Sequence, residues 1–247
     1  MKRARGTRRN LALVLSLTSL ALCAAHVAIA QEDGDLSERF VCIYRGTLSE
    51  SVPKDLGIEW GLPGSITTSQ GVPFLCSYPD VGICNCARLE AGLPPCYMNR
   101  PPTDLPGLFA RLHALTYLGF AADLPDGYLA GQLAVVYEDG SESVLDLVAG
   151  VNTAECEHGT AFVQACLRHK QMPPACSEYI SNRETAFFVY YYHVTLDLEP
   201  KPIAAIEARI PDSACSPRTG CDGEEKTALQ VGINAITLER WDPARSS

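Results

Sequence analysis

The sequence predicts an all-β sandwich, stapled by disulfides and interrupted by one short helix in a loop. Three observations carry that expectation. At least five runs rich in β-branched and aromatic residues are separated by turn clusters. A single stretch, Thr160–Lys170 (TAFVQACLRHK), has helical periodicity. The cysteines, eleven in 247 residues, become an even ten once an N-terminal leader is set aside.

That leader comes first in the chain. Lys2, Arg3, Arg5, Arg8 and Arg9 precede the apolar run Leu11–Ala25, which ends in Ala28-Ile29-Ala30 before the polar QEDGD. This is the order of a secretory signal peptide, residues 1–30, with cleavage expected after Ala30. The alternative is an uncleaved membrane anchor, since the apolar stretch nearly reaches the length needed to span a bilayer. No later stretch is apolar enough to cross a membrane, so no transmembrane span is expected after cleavage. The expected location is secreted, periplasmic or at the cell surface.

The remainder, 31–247, reads as one domain with a core from about 36 to 241, because no composition break splits its strands into two groups. Phe40–Arg45 is a short β-rich run. Leu108–Phe120 alternates, with Arg111, His113, Leu115 and Tyr117 on one side and Leu112, Ala114, Thr116 and Leu118 on the other; both faces look buried, as in a central strand. Leu129–Tyr137 meets Val144–Val148 across Glu138-Asp139-Gly140-Ser141, and Asp-Gly between apolar runs is a strong hairpin signal. Thr185–Leu198 is aromatic and β-branched. Ile203–Ile210 follows two prolines that suit a connection rather than a ladder, and Ala228–Glu239 is the last strand.

Without the leader, the cysteines are Cys42, Cys76, Cys84, Cys86, Cys96, Cys156, Cys166, Cys176, Cys215 and Cys221. In an exported chain this reads as five disulfides. The local pairs expected are Cys215–Cys221, across a short polar loop, and Cys166–Cys176, at the end of the helix. A competing metal site around Cys84-Asn85-Cys86, with Cys76 and Cys96 on either side, lacks the C-x2-C spacing of zinc ligands.

Charge narrows the partners. The five basic residues before Ala30 leave 15 Lys+Arg against 29 Asp+Glu in the 217 residues from Gln31, a net charge of −14. So acidic a surface repels phosphate backbones, and nucleic acid is not expected as a partner.

Several segments, in order, resemble the galactose-binding-domain-like jelly rolls of secreted bacterial proteins. They are Gly71-Val72-Pro73-Phe74, Leu112-His113-Ala114-Leu115, the hairpin Leu133 through Ser141, Gly150-Val151-Asn152, and Leu198 through Ile206. Where relatives tend to carry Asp-Trp after the G-x-N step, this chain has Glu155-Cys156, and Glu199 stands where Asn is usual. A disulfide at Cys156 is then expected to replace the buried Trp as the local anchor. The resemblance implies a non-catalytic sandwich whose loops bind sugars or other surface ligands.

Motifs for catalysis are missing: Gly64-Ser65 lacks the second half of a nucleophile elbow, and Glu157-His158 has no second His at helical spacing. The four histidines after the leader, His113, His158, His169 and His193, are dispersed. His113 and His193 sit in strands that could face a cleft, while His158 and His169 flank the helix. The expected ligand-binding residues are Trp60, Tyr97, His113 and Asn152, because a sugar's apolar face stacks on aromatic rings and its hydroxyls need polar partners. Tyr78 is a further loop aromatic, and Tyr190-Tyr191-Tyr192 a strand that could line a groove. No cofactor is expected beyond a structural Ca²⁺ for which Asp123 and Asp126 could supply oxygens; the alternative is a solvated turn. The leading expectation is an exported binding module for carbohydrate or a cell-surface ligand. The alternatives are a structural or protein-interaction domain of the envelope and, less favoured, a glycan or peptidoglycan hydrolase.

Overall fold

The strongest apolar alternation in the sequence becomes the middle of a six-stranded antiparallel sheet. The computed structural model describes residues 39–43, 65–76, 82–86, 98–99, 107–181, 186–215, 218–219, 225–226 and 229–243, and the expected signal segment lies outside them. The strands are β1 (Phe40–Ile43), β2 (Ser65–Ser69), β3 (Val72–Cys76), β4 (Gly82–Asn85), β5 (Met98–Asn99), β6 (Phe109–Gly119), β7 (Leu129–Tyr137), β8 (Glu142–Val148), β9 (Cys176–Ser181), β10 (Ala186–Asp197), β11 (Ile203–Arg209), β12 (Arg218–Thr219), β13 (Glu225–Lys226) and β14 (Gln230–Arg240). All of them lie in one unit, Phe40–Ser247.

The larger sheet runs β1-β14-β6-β10-β9, with β4 paired to the first half of β14, and the smaller runs β5-β11-β7-β8. Curled antiparallel sheets with a shared core make the molecule sandwich-like and all-β, as the sequence predicts. Leu112, Ala114 and Leu118 of β6 and Val194 and Leu196 of β10 meet Leu133, Val135 and Tyr137 of β7 and Ile206 and Ala208 of β11 in that core. On β14 the inward residues change parity, from Val231 and Ile233 to Ile236 and Leu238. A register shift between Ile233 and Ala235 causes this, since one extra residue in a strand turns its side chains to the opposite face.

The β7–β8 hairpin forms where Asp-Gly predicts it. Gly140 takes φ 81°, and Asp139 Oδ1 accepts from the Ser141 amide at 2.9 Å. A second hairpin, β2–β3, turns on Gln70 and Gly71, both with positive φ (53° and 79°). That turn opens the Gly71-Val72-Pro73-Phe74 segment, whose Phe74 is fully buried. Thr237 on the outer face of β14 donates to the Pro73 carbonyl at 2.6 Å and ties the hairpin down.

The helix is shorter than its periodicity suggests. It covers Ala161–Gln164, α1, capped by the Thr160 hydroxyl, which accepts from the Val163 amide. Beyond it, both ring nitrogens of His169 bond to backbone groups, at Leu124 and Glu155, and pull the chain out of helical register.

The cysteine expectation needs correcting. Cys215 bonds to Cys86, 129 residues away, not to Cys221 across the short loop. Cys166 is disulfide-bonded, but its partner is not Cys176, because Cys156 and Cys176 are thiols. Ten cysteines therefore do not form five disulfides. The physical reason is strand placement: Cys86 follows β4 and Cys215 ends the 3-10 turn after β11, and tertiary packing sets their Cα atoms 5.3 Å apart. Cys42, Cys76 and Cys84 lie on β1, β3 and β4, while Cys96 and Cys221 fall outside the described residues.

A cross-link spanning so long a loop removes much unfolded-state entropy. Cys86→Ser combined with Cys215→Ser should lower unfolding free energy by on the order of 3–5 kcal/mol, measured by urea denaturation under oxidising conditions. A loss below about 1 kcal/mol would show that packing alone holds this junction.

Candidate functional site

At the β9 end of the larger sheet, aromatic side chains form a row. Tyr179 and Phe188 are direct cross-strand partners on β9 and β10, and Tyr190 stands two residues along β10 on the same face. The ring centroids of Tyr179 and Phe188 are 5.2 Å apart, and those of Phe188 and Tyr190 6.4 Å apart. His158 extends the row by stacking on Tyr190 at 4.0 Å with the planes 20° apart. Tyr179 and Phe188 are 54% and 49% exposed, while Tyr190 is half-buried and His158 buried. The contact between Tyr179 and Phe188 makes them a local exposed apolar patch rather than singly scattered residues. Gln171, exposed beside the row, donates to the His158 carbonyl at 3.4 Å and adds a polar group.

Behind the row lies a buried polar cluster. Tyr192, the next inward residue of β10, places its hydroxyl 2.8 Å from His158 Nδ1 and donates to the Glu155 carbonyl at 3.4 Å. Glu155 is nearly inaccessible. Its Oε2 accepts from the Ala121 amide at 2.6 Å, and its Oε1 accepts from the Glu157 amide at 3.4 Å and faces the Cys156 thiol at 3.6 Å. The Glu155 amide in turn donates to His169 Nε2 at 3.1 Å, while His169 Nδ1 donates to the Leu124 carbonyl at 3.0 Å. That pairing makes His169 a neutral imidazole protonated on Nδ1. Burial holds the pKa of both His158 and His169 below the usual imidazole range.

For Glu155, burial outweighs the hydrogen bonds that favour its ionised form and raises its pKa from 4.5 to about 7. The carboxyl, and not a disulfide at Cys156, is thus the local anchor where relatives of the resembled family would carry a buried Trp.

On the opposite face of the same sheet, β6 and β10 bring together two of the dispersed histidines. His113 Nδ1 lies 3.2 Å from His193 Nε2 and 3.0 Å from Thr195 Oγ1. His113 Nε2 is 3.4 Å from Glu239 Oε2, which Arg111 also reaches at 3.4 Å. His193 Nδ1 is 3.2 Å from the hydroxyl of Ser69 on β2, and Phe74 meets the His193 ring edge-on at 5.0 Å.

The residues named from sequence scatter differently. Trp60, Tyr97 and Tyr78 lie outside the described residues. His113 is buried beneath the β2–β3 hairpin. Asn152 locks a turn: its Oδ1 accepts from the Val148 amide and its Nδ2 donates to the Asp146 carbonyl, both at 2.8 Å. Asp126 Oδ1 accepts from the Lys170 amide at 2.5 Å, and Oδ2 pairs with Lys170 Nζ at 3.6 Å. Among the described residues no three His, Cys, Asp or Glu side chains are grouped to hold a metal ion. Of the tyrosine triplet, Tyr191 and Tyr192 are buried and Tyr190 joins the row. Tyr179 escaped sequence reasoning because β9, with its mixed Cys-Ser-Glu-Tyr-Ile-Ser composition, carries little strand signal, and Phe188, inside the expected strand Thr185–Leu198, was not singled out there.

Comparison with protein-family models, with curated proteins and with solved structures finds no match. The galactose-binding resemblance therefore rests on the sequence segments quoted above.

Because Glu155 is protonated more readily folded than unfolded, it favours the fold fully below pH 4.5 and loses that contribution as pH rises through about 7. The loss should reach up to about 3 kcal/mol. Glu155→Gln keeps an acceptor for the Ala121 amide and removes the titration, so its thermal midpoint should vary less between pH 5 and 8 than that of the parent. Parallel pH profiles would refute the assignment.

Proposed function

We propose that the protein is an exported, non-catalytic binding module that takes a carbohydrate on the aromatic row Tyr179, Phe188 and Tyr190. The observation that carries this is the contiguous row of rings, exposed at Tyr179 and Phe188, beside the polar Gln171. Pyranose rings present apolar CH faces that stack on such surfaces, while their hydroxyls take hydrogen bonds from flanking polar groups such as Gln171. The sequence resemblance to galactose-binding jelly rolls supports the same class of ligand, and with it a jelly-roll arrangement of the sheets. The leader-like N-terminus and the disulfide Cys86–Cys215 fit an oxidising, extracytoplasmic location. Among the described residues no helix is long and apolar enough to cross a membrane.

A protein-interaction role in the envelope is the second reading, favoured by one specific feature: β9, which carries Tyr179, ends the hydrogen-bonded order of the larger sheet.

Glycan-array screening of the oxidised chain, with Tyr190→Ala, Phe188→Ala and Tyr179→Ala as controls, separates the two. Sugar binding predicts retention on one glycan class, weakened about tenfold by each substitution, a loss of about 1.4 kcal/mol, with thermal midpoints little changed. No retention on any glycan by a folded chain, together with recovery of one stoichiometric protein partner from envelope extracts, would establish the second reading instead.

A further inference from the structure

The His113–His193 contact is unused by the proposed binding surface and has a proton count that matters. With both rings neutral, one donor order satisfies every group: Ser69 hydroxyl to His193 Nδ1, His193 Nε2–H to His113 Nδ1, and His113 Nε2–H to the Glu239 carboxylate. A first proton goes to His113, whose Nε2–H faces Glu239, and reverses the order without breaking it. His113 Nδ1–H then donates to His193 Nε2, and His193 Nδ1–H donates to Ser69. A second proton leaves N–H groups on both facing nitrogens, 3.2 Å apart, with two cations side by side. Thr195 Oγ1, at 3.0 Å from His113 and 3.5 Å from His193, can accept from the rings but cannot remove the repulsion.

Ser69 and Phe74, the residues that meet His193, both belong to the β2–β3 hairpin. Among the described residues the charged groups facing the pair are Glu239 of β14 and Arg111 of β6. Asp197 of β10 lies on Arg111 at 3.2 Å, and β1 contributes the neutral Phe40. Glu239 lies on His113 Nε2, and it favours the first proton on His113, not a second on His193.

We propose that the β2–β3 hairpin is an acid-released flap, latched to the outer face of the larger sheet by the His113–His193 pair and let go when both imidazoles carry a proton. Burial, with the charge of His113, lowers the His193 pKa from 6.5 to about 4, in line with a latch that resists its second proton. A group whose folded pKa is depressed stabilises the closed state above pH 6.5, and that stabilisation drains away as pH falls toward 4.

Hydrogen exchange at matched intrinsic rates tests this on the full chain. Between pH 7 and 4, protection factors of amides in 65–76 should fall on the order of a hundredfold, while those of the β7–β8 hairpin hold. In His193→Gln, which cannot take the second proton, the fall in 65–76 should shrink to a few-fold. Should that variant not fold, His113→Gln reads the same loss of dependence. Unchanged protection of 65–76 at pH 4 would overturn the proposal. So would an equal fall in either glutamine variant, which would move the effect to Glu239, or simultaneous loss across all strands, which would be global unfolding.

Discussion

Burial of β6 on both faces is the constraint from which the rest of the molecule follows. Every residue from Leu112 to Gly119 is buried. The inner face, Leu112, Ala114 and Leu118, is covered by the smaller sheet through the shared core. The outer face, with His113, Leu115 and Tyr117, is covered by smaller elements. The β2–β3 hairpin does this over His113, where its Phe74 and Ser69 meet His193. At the other end, Tyr117 packs on Tyr191 at 5.9 Å and leans against Gly232 of β14, where any Cβ would overlap its ring. Two-sided burial also dictates polar chemistry, since a buried imidazole or hydroxyl must find partners. His113 finds Thr195, His193 and Glu239, and Thr116 donates to the Tyr192 carbonyl at 3.3 Å.

The same requirement explains how the sandwich is closed at the end that bears the aromatic row. There the chain after β8 passes between β6 and β10: the Leu118 carbonyl accepts from the Cys156 amide at 2.8 Å, and the Cys156 carbonyl accepts from the Tyr190 amide at 3.0 Å. The intruding segment wedges the two strands apart and carries Glu155 into the interior. A carboxyl in that position is tolerated because backbone amides meet both oxygens and because it can stay protonated. His158 follows from the same segment, and its position against Tyr190 continues the aromatic row. The interior anchor and the exposed surface are thus two sides of one short stretch of chain, Glu155–His158.

Much of this was legible in the sequence. The strands over 109–119, 129–137, 186–197, 203–209 and 230–240 and the Asp-Gly hairpin all follow from alternation and turn chemistry, which act over a few residues. Shorter strands were not: β4, β5 and β9 have too few residues for a period to show. The helix was overestimated because periodicity over Thr160–Lys170 does not report that His169 is tethered at Leu124 and Glu155. Cysteine pairing failed for a similar reason. Nearness along the chain favours short loops in the unfolded state, but the native bond forms between residues that the sheets bring together, as Cys86 and Cys215 show. Asn152, expected to bind ligand, and Asp126, expected as a calcium candidate, both have side chains that satisfy backbone groups.

By itself, then, the sequence determined the all-β class, the long strands, and which residues of each strand share a face. Those properties depend on local periodicity. Only the tertiary structure decided that His113 meets His193 from 80 residues away, that Glu155 is buried beside Cys156, and that Tyr179 completes an aromatic row with Phe188 and Tyr190. Each of these depends on strand order and register, and side-chain alternation specifies a face without specifying the neighbour across it.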